Sequence, residues 1–361
     1  MPNQKDIAKA LGITQAAVSM ALRGDRSISA EMRQKVSKTA KRMGYHSNAY
    51  LTVLMSHIRT GKKLSDKGVI GLLVEAGSQE NWYKVESYRG FHQGVLQRGR
   101  ELGFRVESFF LRQPGMNPSK IDQILHTRNI KGIILAPPYH GNRSLNLHWE
   151  RYAAIGVGFG WEEQELNRVV YDSQQNFITA FNALRQMGYR RIGTVLGKSL
   201  IYGTRHGIKS YTGYLECQNS IPEEDRLPIF ASNDLPGGKE SSEESARFRE
   251  WFLKWRPDVL LTLVGSEKQW LDEMKLKVPK DVGLACLAQP SDTSYARIDE
   301  KGEVVGATAL ELVAAQIARN EFGPPSHPKV MMIEGRWVKG STLRKKTAGR
   351  SDSQPGLLTG R

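Results

Sequence analysis

The sequence predicts an α/β protein in which a small all-helical head precedes a two-lobed body built on parallel sheets. Three observations predict it. The run QKDIAKALGITQAAVSMAL, from Gln4 to Leu22, sets two short apolar-faced stretches on either side of a glycine. From Gly68 onward, short β-rich runs alternate with amphipathic stretches, the pattern of parallel strands covered by helices on both faces. Net charge is confined to the two ends. Residues 1–63 carry 12 Lys or Arg against 3 Asp or Glu, residues 336–361 carry 7 against 1, and the other 33 bases and 33 acids cancel.

In the head, Ile7, Ala8 and Leu11 give the first helix one apolar stripe at helical spacing. Gly12 permits a sharp turn, Ile13 covers the small core and Thr14 is a good N-cap. Val18 and Leu22 then face back to the core, which leaves Gln15, Ala16, Ser19 and Met20 outward. Ser29 caps a third helix that runs through Met43, with Met32, Val36 and Met43 on its inner face and Gly44 as its stop. This is a helix-turn-helix, a module that presents the front of its second helix to a DNA major groove. Thr14, Gln15, Ala16, Ser19 and Met20 are therefore candidate DNA contacts. A basic surface on a small helical unit suits phosphate neutralisation, whereas a chain basic only for solubility would spread its charge. The competing reading, a three-helix fragment that merely packs against something else, leaves that charge unexplained.

At 361 residues the chain can bury two or three cores. Strands are expected at Val69–Glu75, Phe104–Leu111, Gly132–Ala136 and Ala154–Phe159, with helices over Tyr88–Leu102 and Ile121–Thr127. A second series follows, with strands near Val169–Tyr171, Ile192–Leu196, Leu227–Ala231, Val259–Val264 and Val282–Leu287. Its helices lie near Asn176–Met187, Tyr211–Gln218, Ser242–Lys254 and Lys268–Met274. A helix at Val304–Arg319 and a strand at Val330–Glu334 come last, so the chain is expected to recross between lobes near residues 290 and 322. The amino terminus has no apolar run, no stretch approaches eighteen uninterrupted apolar residues, and Cys217 and Cys286 are the only cysteines. A cytosolic protein without disulfides, metal, cofactor or membrane partner is expected. An enzyme is not: no phosphate-cradling glycine series follows the first strand, and His206 and Ser210 lack a third partner.

The motifs DIAKALGITQAAVSMAL, SISAEMRQKVSKTAKRMGY, SNAYLTVL, GVIGLLV, RGFHQGVLQRGRELGF, IKGIILAP, ALRQMGYRRIG, GYLECQ, VPKDVGLACL and IEGRWVKGSTLR resemble, in this order, the LacI/GalR family of bacterial transcription regulators. The resemblance covers nearly the whole chain. It implies a periplasmic-binding-protein-like body and a homodimer on double-stranded, pseudo-palindromic operator DNA, usually a repressor. It also implies a small-molecule effector between the lobes, a carbohydrate among the candidates. The alternatives are an effector-independent regulator and, with the same body, a solute-binding receptor. The implied domains are a DNA-binding head at 1–46, a hinge helix and linker at 47–63 and a bilobed body at 64–343, before a disordered basic tail at 344–361. Lobe 1 takes about 68–159 and 290–321, lobe 2 about 160–289 and 322–343. Asn48, Ala49, Leu51 and Leu54 occupy the family's hinge-helix places. Leu54 matches the leucine that wedges into the minor groove, where unstacking is offset by the contacts bent DNA permits. The alternative for Leu54 is an ordinary apolar residue of an amphipathic linker.

The chain departs from the family's pattern at both sites. Met20 stands where an arginine is usual, Arg23 where an asparagine is usual, and Ser47 where a proline is common. Methionine cannot make a bidentate guanine contact, so Arg23 and Arg26 are expected to supply phosphate or base contacts instead. In the cleft, Ser210 replaces the motif arginine three places before Gly213-Tyr214, with Arg205 and Lys209 nearby. Gly265-Ser266 replaces an asparagine-aspartate pair, and Cys286, Leu287 and Ala288 are apolar where an acidic pair is frequent. Either the ligand differs or there is none. Trp82 and Tyr83, after the first strand, remain as stacking faces, unless they close the top of a core. Asp172 and Glu300 are the acidic candidates, each equally suited to capping a helix or facing solvent. The expected effector set is Trp82, Tyr83, Asp172, Arg205, Ser210, Ser266, Leu287 and Glu300, with weak or absent binding of common monosaccharides.

Overall fold

Apolar residues at helical spacing fold the start of the chain into α1 (Gln4–Leu11), α2 (Gln15–Leu22) and α3 (Ala30–Arg42). The computed structural model describes residues 4–22, 28–43, 68–83, 86–138, 145–161, 165–198, 201, 205–233 and 241–344. The chain divides into two units, Met1–Leu64 and Ser65–Arg361. In the first, Ile7, Ala8, Val18, Ala21, Val36 and Ala40 form a buried core, flanked by Leu11, Ile13, Leu22, Ile28, Met32 and Met43. Gly12 makes the turn at φ 65°, a left-handed backbone that glycine adopts at no steric cost.

The second unit holds two α/β lobes. In chain order its elements are β1 (Val69–Val74), α4 (Gln79–Trp82), α5 (Glu86–Leu102), β2 (Arg105–Phe110), α6 (Pro118–Thr127), β3 (Gly132–Leu135), β4 (Ala153–Val157) and β5 (Asn167–Tyr171). There follow α7 (Ser173–Gln186), β6 (Ile192–Gly197), α8 (Arg205–Asn219), β7 (Phe230–Ser232), α9 (Ser241–Trp255), β8 (Val259–Thr262), α10 (Lys268–Glu273) and β9 (Gly283–Cys286). The chain closes with β10 (Ala296–Asp299), α11 (Gly302–Arg319), β11 (Val330–Ile333) and β12 (Arg336–Val338). One six-stranded sheet runs β11-β5-β4-β3-β1-β2, parallel throughout. The other runs β12-β10-β9-β8-β6-β7, parallel except where β12 meets β10. Their central strands are buried end to end, as parallel strands covered on both faces must be.

Sheet order corrects the expected lobe limits. The strand at 167–171 does not begin lobe 2, because Val157 pairs with Val169, which makes β5 part of the first sheet. The chain crosses at Asp172, returns at about residue 300 rather than 290, and crosses again near 335 rather than 322, since β10 joins the second sheet and β11 the first. The unexpected strands β10 and β12 lie against these crossings. Two hydrogen bonds tie the crossings together: Asp172 N–H donates to Ile333 O (3.0 Å) and Gly335 N–H to the side-chain oxygen Asn176 Oδ1 (2.7 Å). The strand expected from Leu227 begins only at Phe230. Leu227 is taken instead by side chains, its N–H by Gln218 Oε1 (3.0 Å) and its C=O by Tyr214 OH (2.8 Å).

Helices α5 and α11 share one face of the first sheet around Phe91, Val95, Val305, Ala309 and Val313. They approach so closely that a Cβ on Gly306 would lie 2.1 Å from Phe91 O, and one on Gly94 2.0 Å from Glu303 O. Only glycine permits that crossing. Helix α6 covers the opposite face with Ile121 and Leu125. In lobe 2, Phe177, Phe181 and Tyr214 of α7 and α8 line one face, and Phe248, Phe252 and Trp270 of α9 and α10 the other. Cys217 and Cys286 are free and buried. Among the described residues, no helix is long and apolar enough to cross a membrane.

Candidate DNA-reading face and inter-lobe cleft

The orientation of α2 follows from two side chains. Val18 and Ala21 are buried, so the opposite side of the helix presents Gln15 and Ala16 exposed, with Ser19 and Met20 half-buried. Thr14, itself exposed, starts the helix: its Oγ1 accepts the Ala17 N–H at 3.1 Å. Ser29 does the same for α3, accepting the Met32 N–H at 3.3 Å. This places Thr14, Gln15, Ala16 and Ser19 on one accessible edge, with Met20 beside them. Arg23, Arg26, Asn48, Ala49, Leu51 and Leu54 lie outside the described residues.

The body divides the expected effector residues. Trp82 is corrected: at 1% exposure it belongs to the lobe 1 core and offers no stacking face. Its ring is enclosed by Tyr83, Tyr88, Phe91 and His92, with centroids 5.3–6.1 Å away. The sequence placed it in a loop, whereas Ser78 caps the short helix α4 and turns the tryptophan inward. Tyr83 is half-buried, its hydroxyl 2.5 Å from His92 Nδ1, and burial holds the pKa of that imidazole below its ordinary value. Leu287 is corrected too, because at 6% exposure it packs in the lobe 2 core. Asp172 caps α7, accepting the Gln175 N–H at 3.0 Å. Glu300 sits buried at the second crossing, where desolvation pushes its carboxyl up to about 8. Ser210 is half-buried on α8, and the Arg205 side chain lies outside the described residues.

Ser266 leads to a residue that the sequence reading passed over. Beside it Glu267, 2% exposed, has its carboxyl pushed up to about 7 by burial. Ser266 Oγ and Glu267 Oε2 are both buried without a hydrogen-bond partner. The adjacent Cys286 thiol is pushed up to about 12, chiefly by burial and then by Glu267. An acid immediately after Gly265-Ser266 was the available signal. The lobes touch through Lys209 of α8, whose ammonium lies 5.6 Å from the centroid of the Phe159 ring beyond β4. At the carboxyl end of the lobe 1 sheet there is a cavity of about 570 Å³, lined by Glu75, Leu111, Arg112, Asn117, Pro118, Leu145 and Trp161. The sequence offered none of these as a site residue.

Comparison with known proteins gives this geometry its setting. The sequence model described as "Bacterial regulatory proteins, lacI family" matches residues 4–48. The HTH-type transcriptional regulator DegA of Bacillus subtilis is 24% identical over 66% of this chain and 67% of its own length. CelR of Thermobifida fusca, also an HTH-type transcriptional regulator, is 21% identical over 92% of this chain and 96% of its own. Among solved structures, a CelR–cellobiose complex superposes with TM-score 0.58 at 17% identity, covering 95% of this chain and 100% of that one. The lac repressor dimer bound to operator and the anti-inducer ONPF gives 0.54 at 15% identity, covering 95% and 99%. At these identities the structures share the fold. The head match and the relatives that span head and body agree in one assignment: this chain belongs to the LacI family of helix-turn-helix transcription regulators.

Proposed function

We propose that the protein represses transcription as a homodimer on a pseudo-palindromic operator, with a small molecule in its body adjusting affinity. The observation that carries this reading is the accessible edge of α2, held outward by the burial of Val18 and Ala21 in the head core. The partition into a head at 1–46, a hinge at 47–63 and a basic tail beyond 343 is part of the proposal. So is the wedge role of Leu54. The likeness to CelR, solved with cellobiose, supports a carbohydrate effector, and the lac repressor structure supports dimeric operator binding. With Ser210 at the family's arginine place, a common monosaccharide would leave hydroxyls unpaired in lobe 2, at roughly 1–3 kcal/mol each.

Operator sequences selected from a random DNA pool by the purified protein test the reading, placed upstream of a reporter with and without the regulator. Reporter output is expected to fall when the protein is present; a rise overturns the repressor assignment. Deleting residues 1–60 should leave a folded dimer without operator affinity, and specific binding by that fragment would refute the head assignment. Leu54→Ala should weaken specific binding by about 1–3 kcal/mol and spare non-specific binding, because a wedge contributes only where DNA can kink. Equal losses of both would instead make Leu54 a packing residue of the head.

A further inference from the structure

We propose that lobe 2 carries a second ligand site, a cavity of about 410 Å³ between β7 and α9 that holds a phosphate monoester bearing a flat aromatic ring. The inference goes beyond the effector reading and does not rest on it, because no residue lining this cavity is among the expected effector contacts. Its occupant is a second signal.

The cavity is built from the edge of a sheet and one side of a helix. β7 ends the lobe 2 sheet, and Phe230 of that strand, with Lys198 just past β6, lines the cavity from the sheet side. Helix α9 supplies Arg247, Trp251, Lys254 and Trp255. Their spacing of four, seven and eight residues from Arg247 sets all four on one side of the helix. Trp251 is fixed in place before any ligand arrives. Its Nε1 donates to Pro228 O at 3.1 Å, its ring lies 5.7 Å from that of Phe230, and a Cβ on Gly193 would come within 2.7 Å of its Cη2. With its one donor spent on the backbone, the indole can offer a ligand only its face. Trp251 and Trp255 are both half-buried, so part of each ring stays accessible.

The cations around these rings are what call for an anion. The Arg247 guanidinium lies 5.4 Å from the centre of the Phe230 ring and the Lys254 ammonium 5.2 Å from that of Trp255. Arg247 is also paired with Glu244. Among the described residues, neither Lys198 nor Lys254 has an ion pair, and neither does Glu250, the one acid of the lining. Like charges gathered on one cavity repel one another, a cost that an anionic ligand removes. A phosphate monoester, at about −1.5 to −2 near pH 7, matches two ammonium groups better than a carboxylate does. Its aromatic ring stacks on indole. The volume lies within the roughly 300–1,000 Å³ that enclose small ligands.

Calorimetric titration of the full-length protein with AMP, phenyl phosphate, adenosine and inorganic phosphate tests the proposal, since the last two each lack one half of the ligand. At least one of the two esters is expected to bind wild type, with adenosine and inorganic phosphate at least tenfold weaker. Affinity should fall at least tenfold when Lys198→Gln and Lys254→Gln are combined, and at least fivefold in Trp255→Leu. Combining Lys277→Gln with Lys280→Gln, at exposed lysines of lobe 2 outside the cavity, should change it less than twofold. Amide exchange at 229–231 should slow with the bound ester, which decides the matter if Trp255→Leu fails to fold. The proposal is overturned if neither ester binds at 5 mM, or if inorganic phosphate or adenosine binds as tightly as the ester. It is equally overturned if binding ignores Lys198 and Lys254, or if both lysine pairs lose alike, which would reveal only the general attraction of a basic chain for anions.

Discussion

At the carboxyl ends of their central strands both lobes carry a buried glutamate, Glu75 after β1 and Glu267 beyond β8. Glu75 meets a guanidinium from the neighbouring strand end. Glu267 has no arginine bonded to it among the described residues and lies beside the Cys286 thiol, with its Oε2 unpartnered, and burial pushes its carboxyl up to about 7. The architecture is the same, six strands with helices on both faces, so the fold did not dictate the difference. One residue at the end of an adjacent strand did. The lobes differ also in how their helices touch: α5 and α11 interlock at glycines in lobe 1, while the glycine between α7 and α8, Gly213, would place a Cβ 2.9 Å from Gln174 O.

That helix contrast sets the largest predicted effect. In Gly306→Ala, the new methyl meets a backbone oxygen that cannot move alone, and overpacking of about 3 kcal/mol outweighs the roughly 1 kcal/mol of helix propensity gained. In Gly213→Ala the milder overlap and the propensity nearly cancel, leaving a loss under about 1 kcal/mol. Urea denaturation of both variants measures this. Equal losses would show that the two helix pairs are packed alike.

Next is the contrast between the acids. Glu267, ordinarily near 4.5 and held at about 7 in the folded state, binds a proton more tightly folded than unfolded. Its contribution is therefore intact below about pH 4.5, is lost as pH rises toward 7, and stays lost above. Glu300, at about 8, acts in the same sense over a window extending one unit higher. Glu267→Gln should thus gain stability relative to wild type between pH 5 and pH 8, by on the order of 2 kcal/mol. A constant difference across that range would place Glu267 in solvent-like surroundings.

Helix caps supply the smallest effect. Asn117→Ala removes the cap that accepts the Lys120 N–H at the start of α6 in lobe 1, and Asp172→Ala its counterpart on α7. Each should cost about 1 kcal/mol, while Asp172→Asn, which keeps the acceptor, should cost almost nothing. If Asp172→Asn preserves stability but abolishes the response to effector, Asp172 contacts ligand in addition to capping.

Both features were partly legible in the chain. VIGLLVE closes an apolar run on a lone acid and FFLR closes the next on a lone arginine, yet the two residues lie 37 positions apart. Only the register of β1 against β2 makes them neighbours. Trp82 shows the opposite failure. Its position after a strand suggested a pocket mouth, but an aromatic surrounded by four rings gains more from burial than from exposure.

By itself the sequence determined what depends on short spacing: the stripe of Ile7, Ala8 and Leu11, the turn at Gly12, the caps at Thr14 and Ser29, and the βα alternation of the body. These follow from local periodicity and backbone sterics, which neighbouring residues settle among themselves. Tertiary structure alone decided which sheet β5, β10 and β11 would join, because a buried parallel strand reads the same on either side of a cleft. It likewise decided which acid would meet an arginine, since an ion pair depends on distance in space and the chain records only distance along itself.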